Sequence, residues 1–543
     1  MSWLRGAIQH WSFVPLAIAA SLGLWLAADG RLHWDEPGYL YEAAYQDFDE
    51  IIAGAVQSSG LPDFIQGRIL HVLFLKGFLT LTGPGELGFW IIILTHLFLI
   101  AATLLLINRI LRELLPEVLE RPAALAVLAM TPVVLYLAFK TMADTESLAA
   151  ATLVTLALLR CGQGRSTFAW GIAAAVGLAL VALTKNQMAF MPAGFWASTC
   201  LIQVGQTDRR RLAWAGALAG SAGVILSIVL LEILGIGVER YLGSYSDVLA
   251  RSPPFAAQLM NAATLFGIFW LLLPVAFASG RRRQLGFLVL WALLSVTPLL
   301  AIASAFEARH LAVTLIAAGG LFALALEVIA IRFRWWMGRT RIQKSVIATL
   351  AVLIAMTSNA LVIAVMPHEV EIRQLRALFV EVDRRFGEGG YVVLTPWAYT
   401  DFQVIRVLWP AIDVRDVGSS WMSVRTDLST REQALDAWHD GRNIESPAGL
   451  AELDRPLVYI GFRHTFSVEN LRAMLEFTAG KTFADGLLGN LDLVDHFAKS
   501  WLWKHPDYEF REIARSGHYR AFEVTRHTAV SDFQNNGTDF GRP

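Results

Sequence analysis

Leu87-Gly88-Phe89-Trp90-Ile91-Ile92-Ile93-Leu94-Thr95-His96-Leu97-Phe98-Leu99-Ile100-Ala101-Ala102-Thr103-Leu104-Leu105-Leu106-Ile107 contains no acid, lysine or arginine. Some 20 apolar residues in helical rise cross the roughly 30 Å hydrocarbon layer of a bilayer. Residues 86–107 therefore read as a membrane-spanning helix. Working outward, ten further stretches read the same way, at 11–28, 122–139, 145–160, 168–184, 186–204, 213–235, 261–279, 285–304, 310–331 and 345–366. The first begins like a signal peptide, but so many similar runs follow it that it reads as a retained span. Between the fifth and sixth, Thr184-Lys185-Asn186-Gln187 leaves room only for a very short turn.

Composition agrees with this reading. Apolar residues make up 55% of the 543 and charged residues 17%, against roughly 45–50% and about 25% in a soluble domain. The formal net charge of −1 supplies no basic excess for phosphate-backbone binding, which argues against nucleic acid as a partner. The total conceals an asymmetry. Residues 1–366 carry 25 Lys and Arg against 20 Asp and Glu, whereas residues 367–543 carry 20 against 26. The expected organisation is a polytopic α-helical membrane domain over 1–366 followed by a soluble domain over 367–543. Both cysteines, Cys161 and Cys200, lie in the first part, so the second can form no disulfide and no thiolate metal site.

Cytoplasmic loops retain Lys and Arg. With the N-terminus inside, 17 of the 25 cations fall on the inner side, including Arg109, Arg112, Arg160, Arg209-Arg210-Arg211 and Arg281-Arg282-Arg283. Eight fall outside: Arg31, Arg68, Lys76, Lys140, Lys185, Arg240, Arg251 and Arg309. An odd number of spans then places residues 367–543 outside, in the periplasm of a Gram-negative cell. That tail alternates helix and strand signals. Val370–Phe386, Phe402–Leu408, Thr430–His439 and Val468–Phe477 read as helices, Tyr391–Leu394 and Leu457–Ile460 as strands, and 509–524 as a hairpin, which together suggest a small α/β domain with a frayed end.

The long first outer loop, 29–85, contains Asp35-Glu36-Pro37. Pro37 suits the first turn of a helix, and an acid before it can cap the free N–H groups there. The stretch Tyr39 to Phe48 mixes aromatic, apolar and acidic residues as an interfacial helix would, and Ile69–Leu81 reads as a second juxtamembrane helix. Asp35 and Glu36 suit either helix capping or catalysis. Their company favours chemistry. Asp144 and Glu146 open the fourth span, Lys140 precedes them, Lys185 occupies the next outer turn, and Arg309-His310 open the tenth span. Charges near hydrocarbon are costly, about 2.5 kcal/mol or more each. Acids beside cations at one membrane boundary suit a reaction at a lipid phosphate, the cation binding phosphate and a carboxylate taking a proton from the attacking hydroxyl.

Asp35-Glu36 followed by Tyr39 and Tyr41, Thr141-Met142-Ala143-Asp144 opening the fourth span, and Leu183-Thr184-Lys185 ending the fifth together resemble the GT-C integral-membrane glycosyltransferases. Within them, the chain is similar to the branch of dolichyl-phosphate-mannose:protein mannosyltransferases and the lipid A aminoarabinose transferase. The His-Pro-Pro segment of that branch is replaced here by Arg68-Ile69-Leu70-His71. The resemblance implies an inverting transferase at the outer face of a bacterial inner membrane. Its donor would be a polyprenyl-phosphate-linked monosaccharide, and its acceptor a lipid, a glycan or a protein of the cell envelope. Asp35 is the expected base, with Glu36 supporting its geometry or capping the helix. Asp144 is expected at sugar or acceptor, and Lys140, Lys185, Arg68, Arg240, Arg309 and His310 are the substrate-binding candidates. A divalent cation would find ligands among Asp35, Glu36, His33 and His71, but no metal is predicted. The alternative function is a lipid or glycan transporter or flippase; such proteins place ionisable residues near the midplane, whereas most charges here lie at the outer boundary.

Overall fold

The computed structural model describes residues 31–32, 35–49, 51, 68–203, 207–235, 267–302, 308–332, 370–395, 402–417, 444, 446–462, 500–517 and 519–526. They divide into two compact units, the first holding residues up to Arg373 together with Val407–Pro410.

The first unit is helical. Its principal helices are α1 (Asp35–Tyr45), α2 (Ile69–Thr82), α3 (Glu86–Leu114), α4 (Arg121–Ala129), α5 (Pro132–Ala138), α6 (Ala143–Gly162), α7 (Thr167–Lys185), α8 (Phe190–Leu201), α9 (Arg209–Ile233), α10 (Arg282–Ile302) and α11 (Leu315–Arg332). Five helical runs among the described residues are long and apolar enough to cross a membrane, or six if one bent pair counts as a span. This is an integral membrane protein. The spans expected at 11–28 and 345–366, and the helices expected at 430–439 and 468–477, lie outside the described residues.

The expected single span 122–139 is instead two helices, α4 and α5, bent by 62°. Pro132 is the cause: it lacks the N–H that would continue the ladder, and it opens the new helix at its first turn. Of the span expected at 261–279, the described part consists of two short turns, Gly267–Leu271 and Leu272–Ala276. The run Thr167–Leu201 extends over 35 residues, which as a straight helix would measure about 52 Å. Both halves nevertheless run beside α6. Cys161 Sγ is 3.5 Å from the Thr167 carbonyl, Ser147 Oγ is 2.9 Å from the Lys185 carbonyl, and Thr152 Oγ1 is 3.9 Å from Met191 Sδ, so the chain moves along α6 toward Ser147 and then reverses. It does so at Lys185, whose extended backbone introduces a 3-10 turn, Asn186–Ala189. Helices α7 and α8 are thus separate strokes on either side of the short turn expected at 184–187.

Burial follows the logic of a membrane bundle. Helix α6 is enclosed by α3, α7, α8 and α9, and its hydroxyls are satisfied within the protein; Thr152 and Thr155 donate to carbonyls four residues back. Helices at the rim turn apolar side chains outward, as Trp214, Leu218, Val224, Ile225 and Ile233 do on α9 and Leu87, Leu94, Phe98 and Leu105 do on α3. The α6–α7 hairpin turns at Gly164, whose φ of 73° is open to glycine at no steric cost. Helix α1 begins at Asp35, with Pro37 in its first turn as expected, but Glu36 to Ala43 are buried throughout. It is an enclosed helix rather than a surface amphipath. A two-residue ladder, Arg31–Leu32 (β1) against Val370–Glu371 (β2), ties the start of this loop to residues far along the chain.

The second unit is a five-stranded mixed sheet. Its strands are β3 (Val392–Thr395), β4 (Asp413–Asp416), β5 (Leu457–Phe462), β6 (Tyr508–Ser516) and β7 (Tyr519–Arg526), in the order β4-β3-β5-β7-β6. Strand β3 pairs parallel to β4 and β5, while β5–β7 and β6–β7 are antiparallel. The expected strands and hairpin are present; the expected helix 370–386 is Ile372–Phe386, preceded by β2. Strand β4, Asp-Val-Arg-Asp, was not expected, because its charged residues mask a strand signal that pairing with β3 supplies. Val392, Leu394, Tyr459, Phe522 and Val524 form its core.

Candidate functional site

The segment Lys140-Thr141-Met142 crosses between α5 and α6 with Met142 extended (φ −115°, ψ 140°). Outside a helix its backbone groups need partners, since an unpaired buried amide or carbonyl is costly. Side chains from three other elements supply them. Glu36 of α1, fully buried, accepts from Thr141 N at 2.5 Å and from Thr141 Oγ1 at 2.9 Å through Oε1. Its Oε2 lies 3.6 Å from Lys140 Nζ. His71 Nε2 of α2 contacts the Thr141 carbonyl at 3.1 Å, and His96 Nδ1 of α3 contacts the Lys140 carbonyl at 2.7 Å. The segment is therefore fixed on every side, and so is the first turn of α6 that it introduces.

That turn carries Asp144 and Glu146, acids at a helix N-terminus where the dipole favours them. Two residues apart on a helix, they point about 200° apart. Asp144 faces α7, where Lys185 Nζ lies 2.7 Å from Oδ1 and 2.8 Å from Oδ2. Both side chains are almost completely buried, 4% and 1% exposed, so either charge alone would cost about 3–5 kcal/mol. Ser147 Oγ donates to the Lys185 carbonyl at 2.9 Å and holds the end of α7. Glu146 faces the other way, toward His71 Nδ1 at 2.8 Å and His96 Nε2 at 2.9 Å. These three are the one group among the described residues able to hold a metal ion. Of the ligands suggested by sequence, His71 belongs to it, Glu36 is engaged by Thr141, and the Asp35 side chain and His33 lie outside what the structure describes.

Glu36, Lys140, Asp144 and Lys185 are thus brought together at one end of the bundle, in two acid–cation pairs. Arg68 immediately precedes α2, its guanidinium over the Tyr39 ring, 5.4 Å from the centroid. Arg309 and His310 fall in the 3-10 turn Ala308–Thr314, which packs against α5, α6 and the turn Asn186–Ala189. Asp35 opens α1, one residue before Glu36. Arg240 lies outside the described residues. Thr141 and Glu146 were noted in the sequence without a site role, and His96 was missed. Its signal was available, for an ionisable residue inside a 21-residue apolar run is itself a marker.

The chain is an integral membrane protein with a fold of the GT-C type. The chain is similar to ArnT from Cupriavidus metallidurans bound to undecaprenyl phosphate, with a TM-score of 0.54 and 13% identity over 97% of this chain and 99% of that one. The apo state of the same protein matches with a TM-score of 0.54 and 12% identity over 95% and 98%. The Archaeoglobus fulgidus oligosaccharyltransferase in its apo form follows at a TM-score of 0.46, with 14% identity over 89% and 73%. No family model and no curated protein sequence matches the chain.

Proposed function

We propose that this chain is an inverting glycosyltransferase that moves a monosaccharide from a polyprenyl-phosphate-linked donor to a lipid, glycan or protein acceptor at the outer face of a bacterial inner membrane. The observation that carries this reading is the gathering of Glu36, Lys140, Asp144 and Lys185 at one end of a bundle whose fold matches, along nearly its whole length, a protein bound to undecaprenyl phosphate. A lipid or glycan transporter is not favoured, because that likeness runs to an enzyme fold and the acid–cation pairs sit together at one helix-end level.

The contacts divide the roles. Lys185 neutralises Asp144 and Lys140 lies beside Glu36, so in this reading these lysines hold the acids in place. Arg68, Arg240, Arg309 and His310 are assigned to the donor phosphate, whose charge grows as the sugar leaves. Glu36 is engaged by Thr141. It positions the Lys140–Met142 segment, and Asp35 is assigned as the base that takes the acceptor's proton. Asp144 is assigned to sugar or acceptor hydroxyls. The residues after 367 would stand outside the membrane as a separate α/β domain.

Asp35→Asn tests this assignment. Sugar transfer from a polyprenyl-phosphate donor in membranes should fall by about 10²–10⁴-fold, with expression level and melting temperature unchanged. Full activity in that variant removes Asp35 as the base. Mass spectrometry of the lipid that copurifies with the protein would identify the donor class directly.

A further inference from the structure

We propose that His71 Nδ1, His96 Nε2 and the Glu146 carboxylate form a binding site for a divalent transition-metal ion, Zn²⁺ first among them, that ties α2, α3 and α6 together behind the Lys140–Met142 segment. The argument begins with hydrogens. The outer nitrogens, His71 Nε2 and His96 Nδ1, face the carbonyls of Thr141 and Lys140. A carbonyl only accepts, so each outer nitrogen carries its ring's hydrogen. The inner nitrogens of two neutral rings then present lone pairs to the same carboxylate oxygen, Glu146 Oε1, at 2.8 and 2.9 Å. Lone pairs facing a carboxylate repel unless positive charge lies between them. Two extra protons would supply it, and so would one divalent ion.

Three features favour the ion. Both rings are fully buried and would have to carry two imidazolium charges around a single carboxylate. Glu146 Oε2 is buried with no hydrogen-bond partner among the described residues, an oxygen for which a second ligating bond or a bound water would account. Finally, a metal-binding histidine commonly donates its other N–H to a main-chain carbonyl, which fixes the tautomer and aims the lone pair; both rings here have that arrangement. The donor atoms all lie within 4.8 Å of one another. Tetrahedral bonds of about 2.0–2.1 Å separate ligand atoms by about 3.3 Å, so the rings need withdraw by only about 0.5 Å to admit the ion. Two imidazoles and a carboxylate with one open position suit Zn²⁺ and exclude Mg²⁺ and Ca²⁺, which prefer oxygen. Because Asp144 and Glu146 lie on opposite sides of α6, the ion would hold the segment in place and take no part at Asp144. This inference stands apart from the glycosyltransferase reading, since its test counts metal and not product.

The test uses the full-length, tag-free protein in detergent, stripped with a chelator and returned to ZnCl₂. About one Zn²⁺ per chain is expected by mass spectrometry of the elements, with a raised melting temperature that MgCl₂ and CaCl₂ do not reproduce. His96→Gln and Glu146→Gln should each lower zinc occupancy about tenfold or more, whereas Cys161→Ser with Cys200→Ser should retain it. X-ray absorption at the zinc edge of the wild type needs no variant and should show two imidazole nitrogens and carboxylate oxygen in the first coordination sphere. Failure of the wild type to take up zinc, full occupancy in His96→Gln, or a coordination sphere without imidazole would each overturn the proposal.

Discussion

Glu36 and Glu42 lie on the same buried helix and meet burial in opposite ways. Glu36 receives two hydrogen bonds from Thr141. Glu42 is 4% exposed, its Oε2 has no partner among the described residues, and burial pushes its pKa up to about 8 from 4.5. The folded protein therefore keeps a proton on Glu42 that the unfolded chain has already released. Stability from this group is fully present below pH 4.5 and is lost as pH rises toward 8, at up to about 1.4 kcal/mol per pH unit. Glu42→Gln keeps the shape and removes the titration. Melting temperatures between pH 5 and 9 should fall more steeply for the wild type than for this variant, with the gap widening up to about pH 8. Parallel curves would show that Glu42 is not held neutral.

Among the elements, α8 and α10 approach closely at Gly194. A Cβ there would collide with Ser295 Oγ and come within 3.1 Å of Ser295 N and 3.2 Å of Trp291 Cδ1. Trp291 Nε1 also donates to the Met191 carbonyl at 2.9 Å, which fixes the register of the two helices. Small residues at such crossings let membrane helices pack by contact alone. Gly194→Leu should force the pair apart and cost about 1–3 kcal/mol, seen as a lowered melting temperature in detergent. Gly220, where a Cβ would meet nothing within 4 Å, is the control: Gly220→Ala should melt at or above the wild type, since alanine favours helix by about 1 kcal/mol. Element boundaries show how far local pattern reaches. The apolar runs located α3, α6, α7 and α9. The 62° bend at Pro132 within the expected span 122–139 was not legible, because a proline permits a break whose angle is set by what each half packs against.

For the whole molecule, the ends of α6 separate two kinds of chemistry. One end carries Asp144, Glu146 and their partners. At the other, Arg160 pairs with Glu113, which also accepts from Arg109 Nε at 3.1 Å. Arg281 binds Glu327 at 2.8 Å and Glu117 at 2.6 Å; these bonds raise its pKa further, so it remains charged. The arginine-rich end is the expected cytoplasmic side. Reporter fusions within residues 163–166 and at residue 440 should report opposite sides of the membrane, with 440 outside. The same side for both would overturn the orientation and the placement of the donor at the outer face.

By itself the sequence determined that the chain is a membrane protein and where most of its long helices run, and it suggested an orientation that leaves most cations inside and most acids outside. Hydrophobic length and charge are local quantities, readable residue by residue. It also marked Glu36, Lys140, Asp144 and Lys185 as candidates. Only the tertiary structure decided their partners: Glu36 meets Thr141 across 105 positions, and His71 meets Glu146 across 75. The same packing made Lys185 a counter-ion of Asp144 and drew His96 out of an apolar span to a shared carboxylate. Such pairings follow from how helices pack in three dimensions, where burial forces each polar group to find a partner, and no one-dimensional pattern records which partner lies within reach.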